Sequence, residues 1–278
     1  MLSAAALLVH GALLGGLGGS VPEPPATRDS TAMSASDLAP TASTGRLVLA
    51  ASSPPAVAEA APIPIYRTEM PPAAMLRYAI GRGLLRGSAE LTWQPEGGRY
   101  EFRLEAFLLG ATILTQVSRG GFDAAGLAPL RFTDQRVRRN EEVANFLRDR
   151  GQITFSARPG QLALRPGAQD RLSWMIQLAA IAAANPALRR EGAQVVMQVI
   201  GVHADASVWV LRCGGVERVR TDLGTVETLT FARVPDGPDD TAAQIWLDPK
   251  RHYLPVRATW RSGSDDEGMD MRLREIGK

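Results

Sequence analysis

The sequence predicts a mainly β fold, in which a curved antiparallel sheet of about 11 strands forms an incomplete β-barrel with one apolar helix packed in or across it. Three observations predict this fold class. Apolar and polar residues alternate repeatedly from Met75 onward, as they do in half-buried strands. One segment, "GAQDRLSWMIQLAAIAAANPAL", is apolar around nearly its whole circumference. The strands that follow it are apolar on both faces and therefore need cover on both sides.

The chain begins with a run free of charged residues, Leu2 to Val21. A membrane helix needs about 20 apolar residues, and a cleaved signal peptide needs an apolar core of about 7–15. Residues 1–20 are therefore predicted to be an apolar leader, either a signal peptide or a membrane anchor. Both alternatives predict an exported, periplasmic protein, and an uncleaved leader would hold it to the inner membrane.

Residues 21–73 are dominated by Pro, Ala, Ser and Thr, as in "VPEPPATRDSTAMSASDLAP" and "SSPPAVAEAAPIPI". Such a segment buries too little apolar surface to offset the conformational entropy lost on ordering. We expect a disordered linker over 21–73, followed by one half-barrel domain over 74–278.

Within the domain, clear alternation predicts strands in "SAELTWQ", "YEFRLEA" and "MDMRLRE". In the second of these, Tyr100, Phe102 and Leu104 share one face. The segment "NEEVANFLRD", from Asn140 to Asp149, fits either a short helix or a strand. The remaining predicted strands are Leu76–Gly81, Ile113–Phe122, Leu130–Arg138, Gln152–Ala157, Gln194–His203, Ser207–Cys213, Val216–Thr221, Thr225–Val234, Gln244–Leu247 and Val256–Arg261.

The predicted helix runs from about Asp170 to Ala184. Its polar stripe is limited to Asp170, Ser173 and Gln177, so most of the cylinder must be buried. Asp170 is expected in the first turn, where its charge meets the positive end of the helix dipole. Asn185-Pro186 is expected to end the helix, because proline disfavours a helical conformation in the residue before it.

Four segments in order carry a family resemblance: "GLAPLRFTDQR", "AQDRLSWMIQLA", "DLGTVETLTFAR" and the hairpin "WLDPKRHYLPVRATW". Together they resemble the domain-of-unknown-function 3108 family, over about Leu76 to Ile276. The hairpin is similar to one in the periplasmic lipoprotein-carrier superfamily, which makes the expected fold LolA/LolB-like. The resemblance implies an incomplete barrel in the cell envelope and no established activity, so it supplies no catalytic residues.

Few residues point to chemistry. The three histidines are scattered, the single cysteine Cys213 excludes a disulfide framework within one chain, and no "HExxH", "GxSxG" or phosphate-binding glycine loop occurs. The acidic residues at 236–240 and 265–267 are expected in solvated turns. The formal net charge of +2 gives no broad basic face for nucleic acid. No catalytic residue, metal site or cofactor is predicted.

Asp170 and Arg171 are the best polar candidates, because they open an otherwise apolar helix. They either make a dipole contact and a salt bridge to a nearby strand, or place Arg171 at a cavity rim to bind an anionic headgroup. If the barrel encloses a pocket, inward-facing apolar residues would line it. The predicted ligand-binding residues are Asp170, Arg171, Trp174, Met175, Leu178, Tyr100, Phe102 and Trp93.

Two functions follow as expectations. The first is non-catalytic binding of an acyl chain, a lipid or a lipidated protein segment in the concave interior. The second is a structural or assembly module with a filled core, which contacts another envelope protein through its outer surface or an edge strand. An unrecognised hydrolase is a distant third.

Overall fold

The computed structural model describes residues 62–233, 235, 237, 240–262 and 267–277. The predicted leader, most of the predicted linker, His10 and part of the two acidic clusters (Asp236, Asp239, Asp265 and Asp266) lie outside the described residues. Within these ranges, no helix has both the length and the apolarity that crossing a membrane requires.

Fifteen strands and one α-helix, α1, form the described domain. The first eight strands are β1 (Ala74–Arg82), β2 (Leu85–Glu96), β3 (Arg99–Leu108), β4 (Ala111–Asp123), β5 (Gly126–Arg136), β6 (Glu142–Leu147), β7 (Gln152–Phe155) and β8 (Gln161–Ala163). The chain continues through β9 (Gln169–Asp170), α1 (Trp174–Ala184), β10 (Gln194–Ile200), β11 (Ala206–Thr221), β12 (Gly224–Arg233), β13 (Thr241–Asp248), β14 (Leu254–Ser262) and β15 (Met269–Gly277). Three short 3-10 helices lie at Arg148–Arg150, Pro186–Arg189 and Pro249–Arg251.

All fifteen strands belong to one sheet, in the order β8-β7-β6-β5-β4-β3-β2-β1-β15-β14-β13-β12-β11-β10-β9. The pairs are antiparallel, except for the two-residue β9, which lies parallel to β10. The first and last strands of the domain, β1 and β15, pair at the centre of this order. Strands β8 and β9 are the two edges, so the sheet is an incomplete barrel.

The sheet curls around α1, which contacts β5, β9 and β14, strands drawn from both halves of the sheet. The two halves also approach each other directly. The Gln169 side chain of β9 donates to the Leu127 carbonyl of β5 at 3.0 Å, and His203 Nε2 lies 3.4 Å from a Glu142 carboxylate oxygen. The concave side therefore faces a helix rather than an open channel.

Helix α1 is buried because it has no polar face to turn outward. Nine of its residues, from Trp174 to Ala182, are buried. The helix ends at the predicted place. Asn185 leaves the helical region with φ −127°, and its amide donates to the Ile181 carbonyl at 2.7 Å, which satisfies one of the last carbonyls.

The predicted fold class is confirmed, with more strands than the predicted number of about 11. The described strands number fifteen, because the short β8 and β9 have no alternation that a period-2 pattern could reveal. The segment "NEEVANFLRD", for which the sequence fits either a helix or a strand, is mainly strand β6. The two predicted strands before and after Gly214 are one strand, β11, bent by a bulge between Cys213 and Gly215.

The helix begins at Trp174 and not at Asp170, because Gln169 and Asp170 pair with Val199 and Ile200 as an edge strand. The predicted place of Asp170 in the first helical turn was therefore wrong. Its contact with the helix start is made instead through direct hydrogen bonds in the turn before the helix.

Residues 66–71, near the end of the predicted linker, form neither helix nor strand and hydrogen-bond to the barrel. The Tyr66 hydroxyl accepts from the Val196 N–H at 2.9 Å, on the side of β10 that β9 leaves open. The Glu69 N–H donates to the Ala180 carbonyl of α1 at 3.0 Å, and Trp93 Nε1 donates to the Pro71 carbonyl at 3.0 Å. These three hydrogen bonds hold residues 66–71 against the domain that is predicted to begin at residue 74.

We expect Leu178→Ala to lower the free energy of unfolding by about 2–5 kcal/mol, because the Leu178 side chain is fully buried and its truncation leaves a cavity. Urea denaturation followed by tryptophan fluorescence measures this change. The matched control is Val216→Ala on an exposed side of β11, which should cost less than about 1 kcal/mol. Equal effects of the two changes would show that α1 is not enclosed.

Candidate functional site

The eight predicted ligand-binding residues all lie inside the barrel and are fully or largely buried. The structure separates them into two polar groups and a core. Asp170 meets Tyr100, with Trp93 and Phe102 close by. Arg171 and Trp174 meet Trp209, on strand β11. Met175 and Leu178 pack in the core.

Asp170 is the centre of the first group. The Ser118 hydroxyl of β4 donates to Asp170 Oδ2 at 2.5 Å, and Ser118 Oγ lies 3.1 Å from the Tyr100 hydroxyl. Because the single proton of Ser118 is used on Asp170, Tyr100 is the donor in that contact. Asp170 Oδ1 accepts from the backbone N–H groups of Leu172 and Ser173, at 2.9 and 2.7 Å. Asp170 therefore links β3 and β4 to the chain segment that starts α1.

Burial dominates the electrostatics of this group. Removal from water raises the pKa of Asp170, although the hydrogen bonds from Ser118, Ser173 and Leu172 act in the opposite direction. Burial likewise raises the pKa of Tyr100 well above its usual value, and the charge of Asp170 adds to that shift. Tyr100 thus remains a proton donor to Ser118 over the whole physiological range.

The other side chains of the predicted polar stripe also hold the helix to the sheet. Gln177 accepts from the Leu127 N–H at 2.9 Å and donates to the Ala125 carbonyl at 2.5 Å. Ser173 Oγ accepts from the backbone N–H of Asp170 at 2.9 Å. Gln177 is therefore bonded to β5 and to the β4–β5 turn, and Ser173 is bonded to β9. Neither side chain is exposed to solvent or directed into a cavity.

Aromatic side chains surround Tyr100. The ring centroids of Trp93 and Tyr100 are 5.4 Å apart, and those of Trp93 and Phe102 are 5.8 Å apart in an edge-to-face arrangement. Phe122 completes the group, 5.8 Å from Tyr100. Such pairs favour a fixed packing over a fluid lining.

Trp209 organises the second group. The guanidinium carbons of Arg171 and Arg233 lie 5.3 and 4.8 Å from its ring centroid, within the range of cation–π attraction. The Trp174 ring centroid is 5.2 Å away. Each arginine also has a carboxylate partner: Arg171 pairs with Asp205 at 2.5 Å, and Arg233 pairs with Asp240. Arg171 therefore makes the predicted salt bridge, to the β10–β11 turn.

Three donors in this second group have no acceptor. Arg171 Nε, Trp174 Nε1 and Arg233 Nε are buried and make no hydrogen bond. Buried donors are nearly always paired, so three around one tryptophan are unusual. Their chemistry suits a small oxygen-rich acceptor, either water or an anion.

Four grooves on the described part of the surface have linings without residues of α1. The largest of these four, of about 470 Å³, lies on the outer side of β2–β5 near Arg99, Glu101, Arg119 and Leu130. Two others, of about 380 and 360 Å³, adjoin each other at Gly268 and Asp270. The fourth, of about 20 Å³, adjoins Ile113 and Met269 and has room for about one water molecule.

The two groups have the chemistry of structural anchors. The Asp170 carboxylate is shielded from solvent and accepts three hydrogen bonds, from the Ser118 hydroxyl and from the Leu172 and Ser173 N–H groups. The described residues contain no group of three or more His, Cys, Asp or Glu placed to hold a metal ion. His203 pairs with Glu142, and His252 occupies a left-handed turn after β13.

Sequence reasoning missed Ser118, Trp209 and Arg233 as members of these groups. The signal for Ser118 was weak: it shares the inner face of β4 with Leu114 and the polar Gln116, so the alternation alone does not single it out. No local sequence pattern indicated the roles of Trp209 and Arg233, because their partners come from strands and turns that are far away in the sequence.

We expect Asp170→Ala to lower the free energy of unfolding by about 2–5 kcal/mol, because it leaves Ser118 and two backbone N–H groups buried without an acceptor. Asp170→Asn should cost less, since an amide oxygen can still accept from the backbone and its NH₂ can donate to Ser118. Urea denaturation of both variants at neutral pH gives the comparison. An alanine variant as stable as the asparagine variant would contradict the network.

The raised pKa of Asp170 predicts the sign of a pH effect. Between its usual value of 3.8 and its higher value in the fold, the native state holds a proton that the unfolded state has released. The contribution of Asp170 to the free energy of unfolding therefore falls as pH rises through this window. The asparagine of the Asp170→Asn variant does not titrate, so the stability advantage of wild type over Asp170→Asn, measured by urea denaturation from neutral to acidic pH, should grow as pH falls through this window. An advantage that shrinks toward acid would contradict the pKa direction.

Comparison with known proteins places the chain in a family. A crystal structure of a β-barrel-like protein of domain of unknown function DUF1849 from Brucella abortus is similar to this chain. Its sequence identity is 16%, the match covers 76% of this chain and 98% of that one, and the TM-score is 0.47. No curated protein matches the chain. The family model described as protein of unknown function (DUF3108) matches residues 75–267, most of the chain, and the protein therefore belongs to the DUF3108 family.

Proposed function

We propose that this protein is a non-catalytic domain of the cell envelope that acts through its outer surface, with an interior filled by its own helix. The envelope location rests on the charge-free run from Leu2 to Val21, which fits a leader for export. The mode of action rests on α1, which occupies the concave side where a ligand would otherwise bind.

The burial of α1 is the observation that carries this proposal. Trp174, Met175, Ile176 and Leu178 are each at most 1% exposed, and they pack in the same core as the inward residues of the sheet. An acyl chain needs a continuous apolar space, and drug-sized ligands already occupy pockets of about 300–1,000 Å³. Such a space would form here only if α1 moved, and its hydrogen bonds through Gln177 and Glu69 oppose that movement.

The outer surface offers binding features that the interior lacks. The grooves of about 380 and 360 Å³ that meet at Gly268 and Asp270 are lined by arginines, Asp270 and small residues. Small residues such as Ala232, Ala242 and Ala79 let a partner approach the backbone closely. This surface fits the folded or extended segment of another envelope protein.

A second candidate function is binding of an anionic headgroup beside Trp209, as the similarity to lipoprotein carriers suggests. The three unpaired donors on Arg171, Trp174 and Arg233 favour it, since phosphate or carboxylate oxygens would satisfy them. The acyl chain would then need the space that α1 now fills.

Native mass spectrometry of the protein purified from its own envelope, combined with lipid extraction, separates the two candidates. We expect the mass of the bare chain and no lipid in the extract. Co-purified lipid that survives in wild type and is lost in Arg171→Gln would contradict the filled interior and favour headgroup binding. The matched control is Arg218→Gln, an exposed arginine of β11. Equal loss of lipid in both variants would show non-specific surface binding and leave the interior filled.

A further inference from the structure

Two leucines on neighbouring hairpins are almost completely exposed. Leu84, in the β1–β2 turn, is 97% exposed, and Leu109, in the β3–β4 turn, is 92% exposed. Val137, in the β5–β6 turn, is 38% exposed. A single exposed apolar residue is ordinary, but two almost completely exposed leucines on neighbouring hairpins need an explanation.

Turn chemistry does not explain them. The β3–β4 turn has two residues with positive φ, Leu109 at 51° and Gly110 at 81°. This turn type favours Asn, Asp or Gly in its first position, because a side chain such as leucine is strained there. In the β1–β2 turn, Gly83 takes the positive φ at 52°, which leaves the exposed position of Leu84 open to polar residues. Neither packing nor backbone geometry therefore requires leucine.

The three turns lie at the same end of the barrel, where the strands end. Ser88 is opposite Phe107, and Leu114 is opposite Arg136, so the β1–β2, β3–β4 and β5–β6 turns all leave the sheet in one direction. Successive hairpins are separated by two strand spacings, which is about 10 Å. Leu84, Leu109 and Val137 thus form a short row, named here the leucine rim.

Arginines border the leucine rim. Arg138 and Arg139 follow Val137, are exposed, and make no side-chain hydrogen bond or ion pair within the described residues. Arg86 follows Leu84, and its guanidinium contacts only backbone carbonyls of its own turn, including that of Leu85 at 2.8 Å.

Among the described residues near the leucine rim, Glu141 pairs with Arg131 at 3.4 Å, and Glu142 with His203 at 3.4 Å. Glu267 lies beside Gly83, and its backbone carbonyl accepts from Arg82 Nε at 3.2 Å. Arg138 and Arg139, which have no ion-pair partner within the described residues, thus add positive charge beside Val137.

We propose that the leucine rim is a docking surface for an anionic phospholipid bilayer. Leu84 and Leu109 enter the boundary between headgroups and acyl chains, and Arg138 and Arg139 contact lipid phosphates. Apolar side chains on projecting turns supply the buried area, and flanking arginines supply attraction to a negative surface. The inference rests on the proposed action through the outer surface, and it identifies a membrane as one partner of that surface.

A protein partner fits the leucine rim less well. A stable protein interface buries about 800 Å² on each side, and three separated turn residues present much less apolar surface than that. A bilayer needs no matched shape, so projecting turns are sufficient to engage it.

Fluorescence from the turn itself tests this inference in the full chain. Leu109→Cys is labelled with an environment-sensitive thiol dye, while the native Cys213 is buried and stays unlabelled. Leu223→Cys, in the β11–β12 turn at the opposite end of the barrel, is the matched control. We expect vesicles of phosphatidylglycerol and phosphatidylethanolamine to increase and blue-shift the emission at 109 and to leave 223 unchanged.

Vesicle sedimentation gives the corresponding affinities. We expect Leu84→Ser combined with Leu109→Ser to weaken binding at least about ten-fold. Arg138→Ala combined with Arg139→Ala should weaken it about five-fold per arginine at low salt, with a smaller effect at high salt. Leu223→Ser should bind like wild type.

An unchanged dye at 109, an equal response at 223, or an equal response to phosphatidylcholine vesicles would overturn the inference. So would a cross-link from residue 109 to an envelope protein without a response to vesicles. None of these results tests the proposed function, which depends separately on whether lipid is present in the protein purified from its own envelope.

Discussion

A helix without a polar face must be enclosed, and that requirement shapes the whole domain. Helix α1 supplies apolar side chains in every direction, so cover on one side is not enough. Antiparallel strands can provide cover all round only by curling, and a sheet of fifteen strands is long enough to do so. The incomplete barrel and the absence of α1 from the lining of the described grooves both follow from this constraint.

Polar groups then determine how the helix sits. Hydrophobic packing is non-directional, and an all-round apolar helix could rotate or slide inside its barrel. Asp170, Gln177 and Asn185 remove that freedom, because each bonds to a different part of the surrounding chain. A buried carboxylate costs free energy unless its bonds are all made, and so the Asp170 network tolerates few other arrangements. The same saturation leaves Asp170 without a free acceptor for a ligand.

Much of this architecture was predictable from local pattern. Alternation along "YEFRLEA" identified the inner face of β3 correctly, because it depends only on neighbours in the sequence. The Asn185-Pro186 stop depends on a single peptide unit and was equally accessible. The two-residue β9 could not be predicted, because no sequence pattern at Gln169 and Asp170 indicates that they pair with Val199 and Ile200. Ser118 and Trp209 acquire their roles from partners 18 to 52 positions away, and one sequence contains no record of such pairs.

The pairing of β1 with β15 has a consequence for biogenesis. Arg77 and Glu275 are joined by a 3.2 Å ion pair across 198 positions of sequence, in the middle of the sheet. The two arms of the barrel can therefore be united only after the carboxyl end of the domain has been synthesised, and loop closure over that span is slow. A chain still emerging from the ribosome therefore lacks the central pairing of its sheet.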